Sequence, residues 1–110
     1  MLRHVGRGRT AMGIDPAGAI RYFGARKQIY EIHFRNVSSP LPHFQETHVD
    51  NGYYDVYKAM RALVDVKYDG IVHLDHAVPM VGGERTYQAY AMGYMRAMRQ
   101  RALAEAAART

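Results

Sequence analysis

A chain of 110 residues is at most one domain, and its 48% apolar content places it among folded chains with a modest core. It has no cysteine, which excludes disulfides and thiolate metal ligands of its own, and no apolar run approaches the roughly 18 residues of a membrane span. The net charge of +5 gathers at the two ends without a nucleic-acid-binding motif beside it, so it reads as solvated helix surface.

Residues 1–12 carry no helical or strand period and read as an irregular lead-in. Asp15-Pro16 then predicts a helix start, with Asp15 capping the open amides and Pro16 losing no hydrogen bond at the first position. Ala19, Ile20, Tyr22 and Phe23 supply its apolar face and Gly24 its left-handed stop. A strand is expected from Gln28 to Phe34. The Ser38-Ser39-Pro40-Leu41-Pro42-His43 stretch cannot continue a central strand and opens a long loop to Gly52. The spacing of Val56, Met60, Leu63 and Val64 predicts a second helix over about 54–65. Asp69-Gly70 turns the chain into a second strand, in the stretch from Gly70 to His76. A last helix follows Gly82-Gly83, from about Arg85 to Ala107, with Tyr87, Tyr90, Ala91, Tyr94, Met95 and Met98 on its apolar side.

Strand, helix, strand is a βαβ unit, whose parallel strands present their carboxyl ends on one rim. The fold class is therefore α/β, with two parallel strands and three helices. Two strands leave both lateral edges unpaired, so further strands come from another chain or the segment is a piece of a larger barrel.

The rim carries the candidate chemistry. Alternation puts Ile29, Glu31, His33 and Arg35 on one face of the first strand, and Tyr30, Ile32 and Phe34 on the other. In the second strand Ile71, His73 and Asp75 share a face. Neighbouring parallel strands lie about 4.8 Å apart, so His33 and Asp75 are placed to share a divalent ion. His76 suits an acid or base, and Arg35 with Asn36 suits a carboxylate substrate. The bland alternative stands beside this: a strand-end histidine is commonly a hydrogen-bonded structural residue, and Asp75-His76 also suits a turn. His4, His43, His48 and His73 have no pattern of their own, and the tyrosines of the last helix suit packing.

Ala19-Ile20-Arg21-Tyr22-Phe23-Gly24, Ile32-His33-Phe34-Arg35-Asn36-Val37, Asp50-Asn51-Gly52, Asp69-Gly70-Ile71-Val72 with Asp75-His76, and Tyr90-Ala91-Met92-Gly93-Tyr94-Met95 occur in an order that resembles the closing part of mannonate dehydratase. The resemblance covers about Gly13 to Arg99. It implies the carboxy-terminal part of a xylose-isomerase-like (β/α)8 TIM barrel over residues 13–110, in a cytoplasmic enzyme of glucuronate catabolism. That enzyme dehydrates D-mannonate to 2-keto-3-deoxy-D-gluconate with Mn²⁺ or Fe²⁺.

The resemblance also implies metal ligation by His33 and Asp75, substrate contact by Arg35, proton transfer by His76, and a role for a tyrosine that is either Tyr90 or Tyr87. The family site draws a further His and a Cys from earlier strands, which this chain does not contain. A fragment inactive alone is therefore expected, either as a homo-oligomer or with a complementing chain that supplies the missing strands. A related metal-dependent sugar isomerase and a small basic self-associating domain are the alternatives.

Overall fold

A computed structural model of the chain describes residues 15–40, 42–75 and 78–108. The lead-in expected over 1–12 and the candidate His76 lie outside the described residues. The elements run α1 (Pro16–Ala25), β1 (Glu31–Phe34), β2 (Asn36–Val37), β3 (Glu46–Thr47), α2 (Val56–Asp65), β4 (Ile71–Leu74) and α3 (Gly83–Ala108).

Helices α1 and α2 begin in the same way. Asp15 accepts the amide of Ala17 at 3.1 Å, and Asp55 accepts that of Tyr57 at 3.0 Å. Each carboxylate fills one of the open donors of a first turn. They also end alike, each through a lysine in the left-handed region, Lys27 (φ 55°) and Lys67 (φ 58°). The amides of Gln28 and Tyr68 reach back to the carbonyls of Phe23 and Leu63 at 2.9 and 3.0 Å, closing both helix ends. The stop expected at Gly24 therefore falls three residues later, at a lysine. Gly24 serves packing instead: a Cβ there would lie 2.6 Å from Cγ2 of Val66, so its bare backbone lets α1 approach α2.

β1 and β4 pair in parallel, with Glu31 opposite Ile71, Ile32 opposite Val72, His33 opposite His73 and Phe34 opposite Leu74. The Asp75 amide donates to the Phe34 carbonyl at 2.8 Å and carries the ladder one step further. Ile32 and Phe34 enter a core shared with Ile20 of α1, Met60 and Leu63 of α2, and Tyr87, Ala91 and Met95 of α3. Glu31 and His33 face the other way, as expected. The alternation does not extend upstream: Ile29 is buried in the core and Tyr30 is 72% exposed. The ladder starts only at Glu31, and residues 28–30 are still leaving the left-handed turn at Lys27.

The sequence showed no sign of the short antiparallel pair β2–β3, in which Asn36 stands opposite Thr47 and Val37 opposite Glu46. It folds the loop after β1 back onto the strand end. The alanine-rich tail of α3 also finds partners. Ala102 is fully buried, Arg101 lies 3.6 Å over the Tyr57 ring, and the Tyr57 hydroxyl donates to Glu105.

Candidate active site

The β1–β4 register sets His33 beside His73, with ring centroids 5.2 Å apart. Glu31, one pleat below His33, reaches both imidazoles. His33 Nε2 donates to its Oε1 at 2.8 Å, and His73 Nε2 stands 3.4 Å from the same oxygen. The other nitrogen of His33, Nδ1, lies 3.9 Å from Asp75 Oδ2. One imidazole is thus held between two carboxylates on adjacent parallel strands. Sequence reasoning paired His33 with Asp75 and gave His73 no role. Only the register, which links residues distant in the chain, shows that His73 is its neighbour. The one available signal was that His73 shares a face with Asp75.

Arg35 follows the last residue of β1 and is buried, its guanidinium paired with Glu46 of β3 and 5.8 Å from the centre of the Phe44 ring. The small antiparallel pair therefore delivers a carboxylate that fixes the arginine. Asn36 is fully buried. Its Nδ2 donates to the Val49 and Tyr54 carbonyls at 3.0 and 2.8 Å, and its Oδ1 accepts the Val37 amide at 2.9 Å. That amide ties the far end of the loop to the strand.

The two tyrosines at the start of α3 take different partners. Tyr87 is buried, and its hydroxyl donates to the Asp75 carbonyl at 3.5 Å. Burial, together with the Asp75 charge, pushes its phenol pKa up. Tyr90 donates to Asp50 Oδ2 at 2.5 Å, and this hydrogen bond, with partial burial and the Asp50 charge, raises its pKa. Both phenols are therefore protonated near neutrality and act as donors. His48 stacks on Tyr87 at 5.8 Å and tilts against Tyr90 at 5.0 Å. Its Nδ1 is buried with no hydrogen-bond partner among the described residues.

The fold resembles two solved proteins. Mannonate dehydratase from Streptococcus suis serotype 2 superposes with a TM-score of 0.83 at 23% identity, over 96% of this chain and 33% of that one. A xylose isomerase domain protein from Planctomyces limnophilus gives 0.71 at 14% identity, over 94% of this chain and 36% of that one. At such identities the likeness is one of fold, and the chain spans about a third of the length of either protein. No curated protein sequence matches it significantly. A family model described as D-mannonate dehydratase (UxuA) matches residues 8–107, which takes in every residue of the rim, and the chain belongs to that family.

Proposed function

We propose that this chain forms part of a D-mannonate dehydratase, a hydro-lyase that converts D-mannonate to 2-keto-3-deoxy-D-gluconate and water in hexuronate breakdown. The family match over residues 8–107 carries this reading, because within it His33 and Asp75 come to 3.9 Å of each other at one strand rim. On this reading β1 and β4 are neighbouring strands of a xylose-isomerase-like barrel. The remaining strands, and the further ligands they bear, belong to chain outside these residues or to a complementing subunit.

The donor chemistry fits a divalent ion. Metal bonds of about 2.0–2.2 Å put two ligand atoms of one ion about 3–4 Å apart, and His33 Nδ1 and Asp75 Oδ2 meet that separation with the mixed set that suits Mn²⁺ or Fe²⁺. Bound there, the ion supplies positive charge next to the carboxylate on which charge develops.

The protein's own groups do the rest. Arg35, held in orientation by Glu46, has five donors in a planar fork, more than one carboxylate occupies, and it engages the substrate carboxylate. His76 takes the proton from C2. Tyr90, kept protonated by Asp50, gives its proton to the C3 hydroxyl, which departs as water. The resulting enol loses its hydroxyl proton and gains one at C3, giving the 2-keto-3-deoxy product. Tyr87 is the alternative donor, since its hydroxyl reaches the residue that bears the metal-binding carboxylate. Asn36 acts here by holding the loop that carries Asp50.

The test is a chimera in which residues 15–108 replace the matched third of the Streptococcus suis enzyme. Formation of the 2-keto-3-deoxy acid is expected to persist with Mn²⁺. His33→Ala or Asp75→Ala in the chimera should lower it at least about 100-fold. Turnover unchanged by both substitutions would overturn the reading.

A further inference from the structure

The cluster at Glu31 is placed to hold a metal ion at a second position, on the opposite side of the His33 ring. We propose that the chain by itself binds a divalent transition-metal ion through Glu31, His33 and His73. His33 would use Nε2 there, whereas the position read above uses Nδ1. The inference rests on the dehydratase reading only in taking Asp75 as the other partner of His33.

Three observations support it. First, one ligand atom from each of the three side chains lies within 4.8 Å of the other two. Bonds of about 2.0–2.2 Å place adjacent ligand atoms about 3.0–3.6 Å apart; the 3.4 Å from Glu31 Oε1 to His73 Nε2 falls in that range, and the 2.8 Å to His33 Nε2 reaches it by opening a few tenths of an ångström. Second, the ligands sit on paired strands whose register sets His33 against His73, with Glu31 one pleat away on the same face. Their spacing is therefore fixed by backbone hydrogen bonds rather than by a loop. Third, with Nε2 on an ion, the Nδ1–H of His33 points toward Asp75 Oδ2. A ligating imidazole commonly donates its other N–H to a carboxylate, which sets the ring's orientation and raises its basicity. Asp75 would then be a positioning residue for this ion and not a ligand.

The donor set also indicates the class of ion. Two imidazoles and one carboxylate favour Zn²⁺, Co²⁺ and Ni²⁺ over Mg²⁺ and Ca²⁺, which prefer all-oxygen surroundings. Three protein donors leave room for water or a small oxygen ligand. The ions bound at the two positions would share His33, so occupancy of one competes with occupancy of the other.

The test titrates the metal-free chain with Co²⁺, following the visible absorption of the bound ion, with Zn²⁺ as competitor. Wild type should develop a saturable one-equivalent spectrum that Zn²⁺ bleaches. His73→Ala and Glu31→Gln should each weaken binding about 100-fold or more, while Asp75→Asn should weaken it only about 10-fold. His73 and Glu31 both reach solvent, and unchanged far-ultraviolet circular dichroism would show that the variants keep the fold. No saturable spectrum in the wild type would overturn the inference and leave the dehydratase reading, whose further ligands lie elsewhere, intact. Binding that survives His73→Ala but is lost in Asp75→Asn would overturn the inference and favour the His33–Asp75 position. Loss in His33→Ala together with persistence in both His73→Ala and Glu31→Gln would overturn it as well.

Discussion

Strands β1 and β4 are equal in length, run parallel and pair over all four residues, yet their surroundings differ sharply. In β1 the side chains alternate between core and rim, and Ile32 is wholly buried. In β4 the first three residues are exposed, and Ile71 is 63% accessible. On its other face Val72 borders an apolar groove of about 650 Å³, walled by α2 and α3 and fringed by Lys67, Arg96 and Arg99. Hydrogen-bond pairing satisfies a strand's backbone but buries none of its side chains, which depend on what is layered against them. Among the described residues each strand is paired along one edge only. The difference lies in the layer against them: Ile32 and Phe34 of β1 pack into the core with α1 and α2, whereas of β4 only Leu74 packs against that core.

The sharpest way to break this comparison is to make the same change on both strands. Ile32→Ala should cost about 2–5 kcal/mol in urea unfolding, whereas Ile71→Ala should stay within about 0.5 kcal/mol. Equal costs would mean that β4 is covered in solution. Glycines give the next largest contrast. Gly24→Ala forces a methyl against Val66 and should destabilise by about 1–3 kcal/mol, with Val66→Ala restoring much of the loss. Gly93→Ala on α3 meets no atom within 4 Å and should stabilise by up to about 1 kcal/mol through helix propensity alone.

Acid sensitivity is the smallest effect. Burial favours protonating Asp65, but its hydrogen bonds from Arg21 and Arg61 outweigh this and hold its pKa below the ordinary value of 3.8. A depressed carboxylate pKa contributes stability above the unfolded-state value, and that contribution fades as pH falls through the folded one. Unfolding midpoints should therefore drop below about pH 4. Asp65→Asn should flatten that decline, since the Arg21 bond to Asp65 joins α1 to α2.

Much of this arrangement was legible in the sequence where it depends on local rules. The Val56, Met60 and Leu63 stripe, the Asp15-Pro16 start and the shared rim face of Glu31 and His33 follow from periodicity and capping chemistry. The left-handed Lys27 and Lys67 did not, because a lysine carries no signal for that conformation and its neighbours impose it. The two-residue strands β2 and β3 are too short for any period to register. Glu46 therefore could not be foreseen as the partner of Arg35, nor Asn36 as a buried fastening. Register was the other hidden quantity, and with it His73.

Asn36 has one further consequence. Because its amide grips the carbonyls of Val49 and Tyr54, the chain that leaves the strand end after Val37 is brought back almost to it, where Glu46 stands opposite Val37. Apart from Glu46, which holds Arg35, length and composition within that excursion are free to drift without shifting the start of α2. The frame can thus stay constant while the loop above the strand end changes.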